Sequence, residues 1–468
     1  MDNNVLFITS LFKKVSLNMS NLNRNKLAAL CLALVTNTVF GVSQDTIQGH
    51  IGGLSNQVNR DVGDVPGNRY NGDLQFSYFN NKSLDLERKF EFSAMVNDQS
   101  LTMWSLQEAY VEKKGAFRPW DAAEKVGDKI KVGRQIIPWS TVDQVWGLGK
   151  LNNRKNFDFF NPGQEGLIGV TYENRSVNGF FWKAFGSGIY APEMNPGLDI
   201  NKKNNTITSR NPWATAPAAS TEIDGNKTPI QYIIDYPSIS DVIYRYTIGA
   251  NVGWENEHWA VDGYVVRKPE NQLSTQVEVA LAEDAASVKA FIKPQFYYHD
   301  VYGGNLKYRN GDVEVQFSGI AVRPNTFPDG NSEATKYTEI KTEKRREDYV
   351  GGGISRTNDK YGMGFNYVAR LSPFDRERDS LAQDPRWNQA VNAFLMRNFT
   401  KTVQISGDIK YDMLTTDRLI MLRAGYKVSK ELLTTFGVNM IGTPTNGKSY
   451  WSPYTNNDAL FGGLRYIF

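Results

Sequence analysis

The sequence predicts an all-β chain: a transmembrane, antiparallel, up-and-down β-barrel of about 18 strands, within about 16 to 20. Three observations predict it. Segments of roughly ten residues alternate apolar and polar side chains along most of the chain. Short and long connections between these segments alternate too. The last residues carry an apolar side chain at every second position and end on Phe468.

Residues 1–43 stand apart. Arg24 and Lys26 precede a short apolar core, Leu27 to Val35, and Gly41 and Ser43 are spaced as at a cleavage site. This is the pattern of a secretory signal peptide over 19–43, behind an N-terminal extension. The other readings are a core helix or a membrane anchor. Residues 44–468 are then the barrel. Cys31, the one cysteine, lies in the signal core, so the mature chain carries none, which suits passage through an oxidising compartment. The whole chain holds 53 Lys and Arg against 50 Asp and Glu. Without Lys13, Lys14, Arg24, Lys26 and Asp2, the balance is 49 against 49. A neutral chain is not built to bind nucleic acid. With only His50, His258 and His299, histidine metal chemistry is poorly supplied, and no cofactor is expected.

After Gln44 no apolar run reaches the length of a membrane helix. Twenty strands can be drawn instead, at 46–57, 70–79, 84–97, 101–113, 128–137, 164–174, 177–187, 241–254, 258–268, 273–284, 287–299, 302–309, 312–323, 347–357, 360–370, 388–399, 403–413, 418–428, 431–442 and 457–468. The stretch at 302–309 is marginal. In 403–413, Val403, Ile405, Ile409 and Tyr411 oppose Gln404, Ser406, Asp408 and Lys410. One such strand also fits a soluble sandwich, so the number of strands carries the argument. The mean hydropathy of −0.46 excludes only a helical membrane protein, because half of each barrel strand faces water.

Long connections fall at 58–69, 138–163, 188–240, 324–346, 371–387 and 443–456, and short turns fall between them on the other side. Only 114–127 is long on the short side. A barrel with both ends in the periplasm requires this parity, with long loops outside; a soluble multi-sheet protein does not.

The chain ends LFGGLRYIF, with Leu464, Tyr466 and Phe468 on one face. This resembles the C-terminal signature of Gram-negative outer-membrane β-barrels of the porin type. The resemblance implies a bacterial outer-membrane location and recognition of the last strand by the barrel assembly machinery. It also implies contact with outer-membrane lipid and lipopolysaccharide, and a possible homo-oligomer. The charged run Lys341 to Asp348 reads as a solvated loop edge, or as one that meets lipopolysaccharide phosphates through Arg345 and Arg346. Val132 to Gln135 is similar to a strand-end motif of porin-like families, alginate-export barrels among them.

Alternation names the lumen candidates. The bases are Lys183, Arg245, Lys289, Lys293, Arg370, Arg397, Lys410, Arg423 and Arg465; the acids are Asp85, Glu87, Glu91, Asp262, Glu278, Glu314 and Asp408. Such a mixed wall resembles general porins, where opposed charges set a transverse field; the alternative is a solvated face laced with salt bridges. In 138–163, Trp139, Asp143, Trp146, Arg154, Lys155 and Asp158 suit a loop folded into the pore, its aromatics offered to sugar-like solutes. The alternative is an external cap. Arg134 falls in phase with the lipid-facing Ile130 and Val132, so a bulge at Gly133 is expected to turn it inward.

The sequence has no P-loop, no GxSxG elbow and no metal-ligand histidine pair, and no enzyme is expected. The expected function is a water-filled channel for passive diffusion of small hydrophilic solutes or ions. The alternatives are a loop-plugged surface or structural barrel and a polysaccharide export pore.

Overall fold

The computed structural model describes residues 46–57, 68–83, 86–97, 102–117, 127–155, 160, 162–193, 198–201, 205–209, 217–271, 274–281, 287–325, 338–340, 346–372, 385–444, 449–455 and 457–467. The expected signal peptide at 19–43, Asp85, Asp158, Arg345 and Phe468 lie outside the described residues.

Eighteen strands form the wall: β1 Thr46–Gln57, β2 Asn68–Ser83, β3 Leu86–Asn97, β4 Thr102–Lys114, β5 Gly127–Gln135 and β6 Leu167–Arg175; β7 Phe180–Ser187, β8 Thr247–Glu255, β9 Trp259–Pro269, β10 Tyr298–Asn310, β11 Val313–Asn325 and β12 Glu347–Thr357; then β13 Tyr361–Arg370, β14 Gln389–Asn398, β15 Val403–Asp412, β16 Arg418–Lys427, β17 Leu432–Gly442 and β18 Ala459–Ile467. Each strand pairs antiparallel with its neighbour in sequence, and β18 returns to β1, with Ile51 opposite Leu464 and Gly49 opposite Tyr466. Closure leaves no sheet edge, so every strand has a ladder partner on both sides.

Two of the twenty expected strands are not in the wall. Residues Ser274–Leu281 and Val288–Gln295 pair with each other and join Asn226–Ile234, Ser220–Ile223 and Thr338–Ile340 in a separate five-stranded sheet. Their alternation is the same as that of a wall strand, because any sheet with one packed face shows it. The marginal stretch at 302–309 is instead part of the 13-residue β10. Because the two were adjacent, their removal leaves the parity of every other connection unchanged. Segment 241–254 begins in a short helix, α2, Ile239–Ile243, before β8.

Outward rows are apolar and exposed: Ile248 and Val252 on β8, Val261 and Val265 on β9, Phe317 on β11, Ile405 and Ile409 on β15, Phe436 on β17, and Leu460 and Leu464 on β18. Aromatic residues mark both rims of this belt, Trp259 against Tyr308 at the short-turn end and Tyr246 against Tyr298 at the long-loop end. Inward rows carry most of the wall's polar and charged residues, with apolar ones where loops pack against them and at positions such as Phe181 and Phe461.

Candidate functional site

The connection between β5 and β6 folds into the barrel. At its start, Gly133 takes φ +129°, and a Cβ there would collide with the Ala109 carbonyl. The ladder runs through without an extra residue, Tyr110 opposite Gly133 and Gly133 opposite Gly169, so the expected bulge at Gly133 is absent. The one register shift nearby lies on β4, between Leu106 and Glu108. Arg134 reaches the loop, with Nη2 3.1 Å from Glu165 Oε2. Glu165 also accepts from Ser105 of β4. Burial pushes the Glu165 carboxyl up, and Ser105 and Arg134 pull it back.

The loop then makes a short helix, α1, Thr141–Trp146, capped by Ser140. The first amides of a helix have no partner within it. Here the barrel wall supplies them: Thr141 N donates to Asn305 Oδ1 at 3.0 Å and Val142 N to Ser318 Oγ at 3.2 Å. Asn305 Nδ2 donates in turn to the Trp139 carbonyl at 2.7 Å. Gly351 of β12 leaves room for Val142, and Gly249 of β8 leaves room for Trp139. Asp143 is 1% exposed and accepts from the amides of Lys150 and Leu151, which closes the turn after the helix. Burial raises its carboxyl, and those two amides pull it back. Lys268, on the inward row of β9, donates to the Leu151 carbonyl at 2.8 Å and to Asn271. Lys150 reaches Glu347 of β12 at 2.8 Å.

Two further loops meet this one. Trp387 donates to the Trp146 carbonyl, and the rings of Trp146, Trp387, Trp451 and Tyr450 follow each other at 5.6, 5.5 and 5.1 Å. These residues share one apolar core with Val266, Val301, Ile320, Val368 and Leu419 of the wall. Trp139 and Trp146 are therefore buried, at 4% and 2% exposure, and offer no face to a sugar. Arg154 lies in the short strand Asn153–Lys155, paired with Gly163–Glu165, 3.6 Å from Glu193. Burial pulls its guanidinium down, but Glu193, Tyr450 and Asp143 together outweigh that and hold it above the ordinary value. Lys155 is buried in the same strand.

A polar ladder runs round the wall beneath the helix. Asn251 and Asn305 both donate to Asp262 at 2.8 Å, and Ser318 donates to Asn305. Farther round, Asn366 donates to Asn392 and Asn392 to Asp408, each at 3.0 Å. Asp262 and Asp408 are among the expected lumen residues; Asn251, Asn305, Asn366 and Asn392 are uncharged and are not, although the same period-two rule places each of them inward.

Lys183, Asp262, Glu314, Arg370, Asp408, Lys410, Arg423 and Arg465 occupy inward rows, with Glu87 and Glu91. Five expected residues do not. Glu278, Lys289 and Lys293 belong to the separate sheet, where Lys293 pairs with Glu278 at 3.0 Å. Arg397 shares the outward row of Leu395 and faces Ile405 across the ladder; the near-continuous apolar run Ala393 to Met396 hides the phase there. Arg245 precedes β8, donating to the Asp241 carbonyl and lying over Phe296.

The arc from β3 to β8 carries a cross-strand ion network. Lys89 meets Glu91 and Glu108; Lys129 and Lys131 meet Glu112; Lys129, Lys183 and Arg175 meet Glu173; and Arg175 meets Glu255. Of these, only Lys183 and Glu91 were expected to line the lumen.

No family model matches the sequence, and no curated protein does. Solved structures do. The chain is similar to OmpF of Salmonella typhi, with 11% identity, a TM-score of 0.42 and coverage of 91% of this chain and 97% of that one. It is similar to a mutant porin of Rh. blastica, with 9% identity, a TM-score of 0.39 and coverage of 91% and 100%. At these scores the likeness says nothing about solutes.

Proposed function

We propose that the chain is a bacterial outer-membrane channel of the porin type, passing small hydrophilic solutes or ions by passive diffusion. One observation carries this reading: a closed wall whose outward rows are apolar and exposed while its inward rows hold charged residues. An 18-stranded wall is too wide for its own side chains to fill. The inward loop narrows this space from the long-loop side and acts as a constriction. Residues 19–43 direct export, and Leu464, Tyr466 and Phe468 present the last strand to the assembly machinery. Arg346, at the long-loop end and paired with Asp348, would be the residue to meet a lipopolysaccharide phosphate. Trimers or other homo-oligomers would form through the outward face.

A second reading, a barrel plugged by its loops, is favoured by the shared apolar core of the three inward loops and the wall. Planar-bilayer recording separates the two. Stable open conductance supports the channel; a folded barrel that stays silent supports the plug.

A further inference from the structure

Charge along the lumen is not distributed as the sequence suggests. On the arc from β3 to β8, five cations and five carboxylates, Lys89, Lys129, Lys131, Arg175 and Lys183 against Glu91, Glu108, Glu112, Glu173 and Glu255, neutralise one another. On β15, β16 and β18 the inward rows carry Lys410, Arg423, Lys427 and Arg465, and no carboxylate oxygen of a described residue lies within ion-pair distance of any of them. The described carboxylates of those rows are Asp408 and Asp412. Asp412 is spent on the backbone amides of Asn388, Leu414 and Thr415. Asp408 accepts from Asn392 and, two residues from Lys410 on the same row, offsets part of that charge, which leaves Arg423 and Arg465 as the freer cations.

The bases are also spread along the wall. Arg423 lies level with Ser406 on β15 and, through Gly437, with Phe461 on β18. Lys410 is four residues from Ser406 toward the long-loop end, and Arg465 is four residues from Phe461 toward the other end. Four strand residues span about 13 Å. An ion leaving one cation therefore meets the next before the first is fully screened, since the Debye length is about 8–10 Å at moderate salt.

We infer that the lumen conducts small anions in preference to cations, along the strip of Lys410, Arg423 and Arg465. This rests on the channel reading above. Uncompensated charge on a pore wall concentrates counter-ions, whereas a neutralised network does not. The passing species is a hydrated anion of chloride size or a small oxyanion, moving between cations without a fixed binding site.

The test is the reversal potential of the full-length barrel in a planar bilayer under a potassium chloride gradient. The native protein is expected to favour chloride. The triple variant Lys410→Glu, Arg423→Glu, Arg465→Glu is expected to favour potassium, shifting the permeability ratio by about tenfold. Lys289→Glu with Lys293→Glu, in the separate sheet, is expected to leave the ratio unchanged. Should the triple variant not fold, judged by heat-modifiable gel migration, Arg423→Gln alone is expected to weaken chloride preference. A native channel that favours potassium overturns the inference and leaves the channel standing. So does a ratio unmoved by the triple variant or by Arg423→Gln. A silent folded barrel overturns both.

Discussion

Two arcs of the same wall hold charge in different ways. From β3 to β8, Lys129, Lys131 and Lys183 stand across the ladder from a carboxylate, as Lys131 does from Glu112, and Lys89 and Arg175 reach theirs off the direct register. From β15 to β18, Arg423 stands across from Ser406 and Gly437, and Arg465 across from His50 and Leu433. Both arcs read as alternating strands with charges on the polar row. What differs is the partner that register places opposite each charge. The first arc holds the wall together, and the second leaves its charge to the lumen.

That division can be broken. Glu173→Lys places a fourth cation among Lys129, Lys183 and Arg175, and is expected to destabilise the barrel by about 3–5 kcal/mol. Arg423→Glu, in a site with no ion partner among the described residues, is expected to change stability little. Urea titrations of the two variants in detergent or vesicles check the contrast; equal losses would erase it. Next in size, Asn305→Ala leaves Thr141 N and the Trp139 carbonyl without their wall partner. It is expected to cost about 1–3 kcal/mol and to raise single-channel conductance as the loop loosens, with ion preference kept. A smaller effect is expected from Glu112→Gln. It frees Lys129 and Lys131 in part and should move the reversal potential further toward chloride. The smallest is that of salt: raising both solutions toward 1 M shortens the Debye length to about 3 Å, and the native preference should shrink.

The strand pattern was legible because lipid on one side and water on the other impose a period of two. It failed at 273–299 for the same reason, since a packed sheet outside the wall imposes that period as well. The inward loop was legible through Trp139, Asp143 and Trp146, yet their role differs from the expected one. Asp143 closes the turn after the helix, and the tryptophans form a dry core with Trp387 and Trp451 from loops far off in sequence. No local signal marks Asn305 or Ser318 as the groups that satisfy α1, because the pairing spans more than 160 residues.

The sequence by itself determined the fold class, the near-balance of charge and which face of most strands turns inward, because side-chain periodicity is local. Only the tertiary structure decided that eighteen strands close rather than twenty, and that the loop lies inside. It alone decided which charges are cancelled, because an ion pair depends on strand register and loop docking, which join residues that the chain keeps far apart.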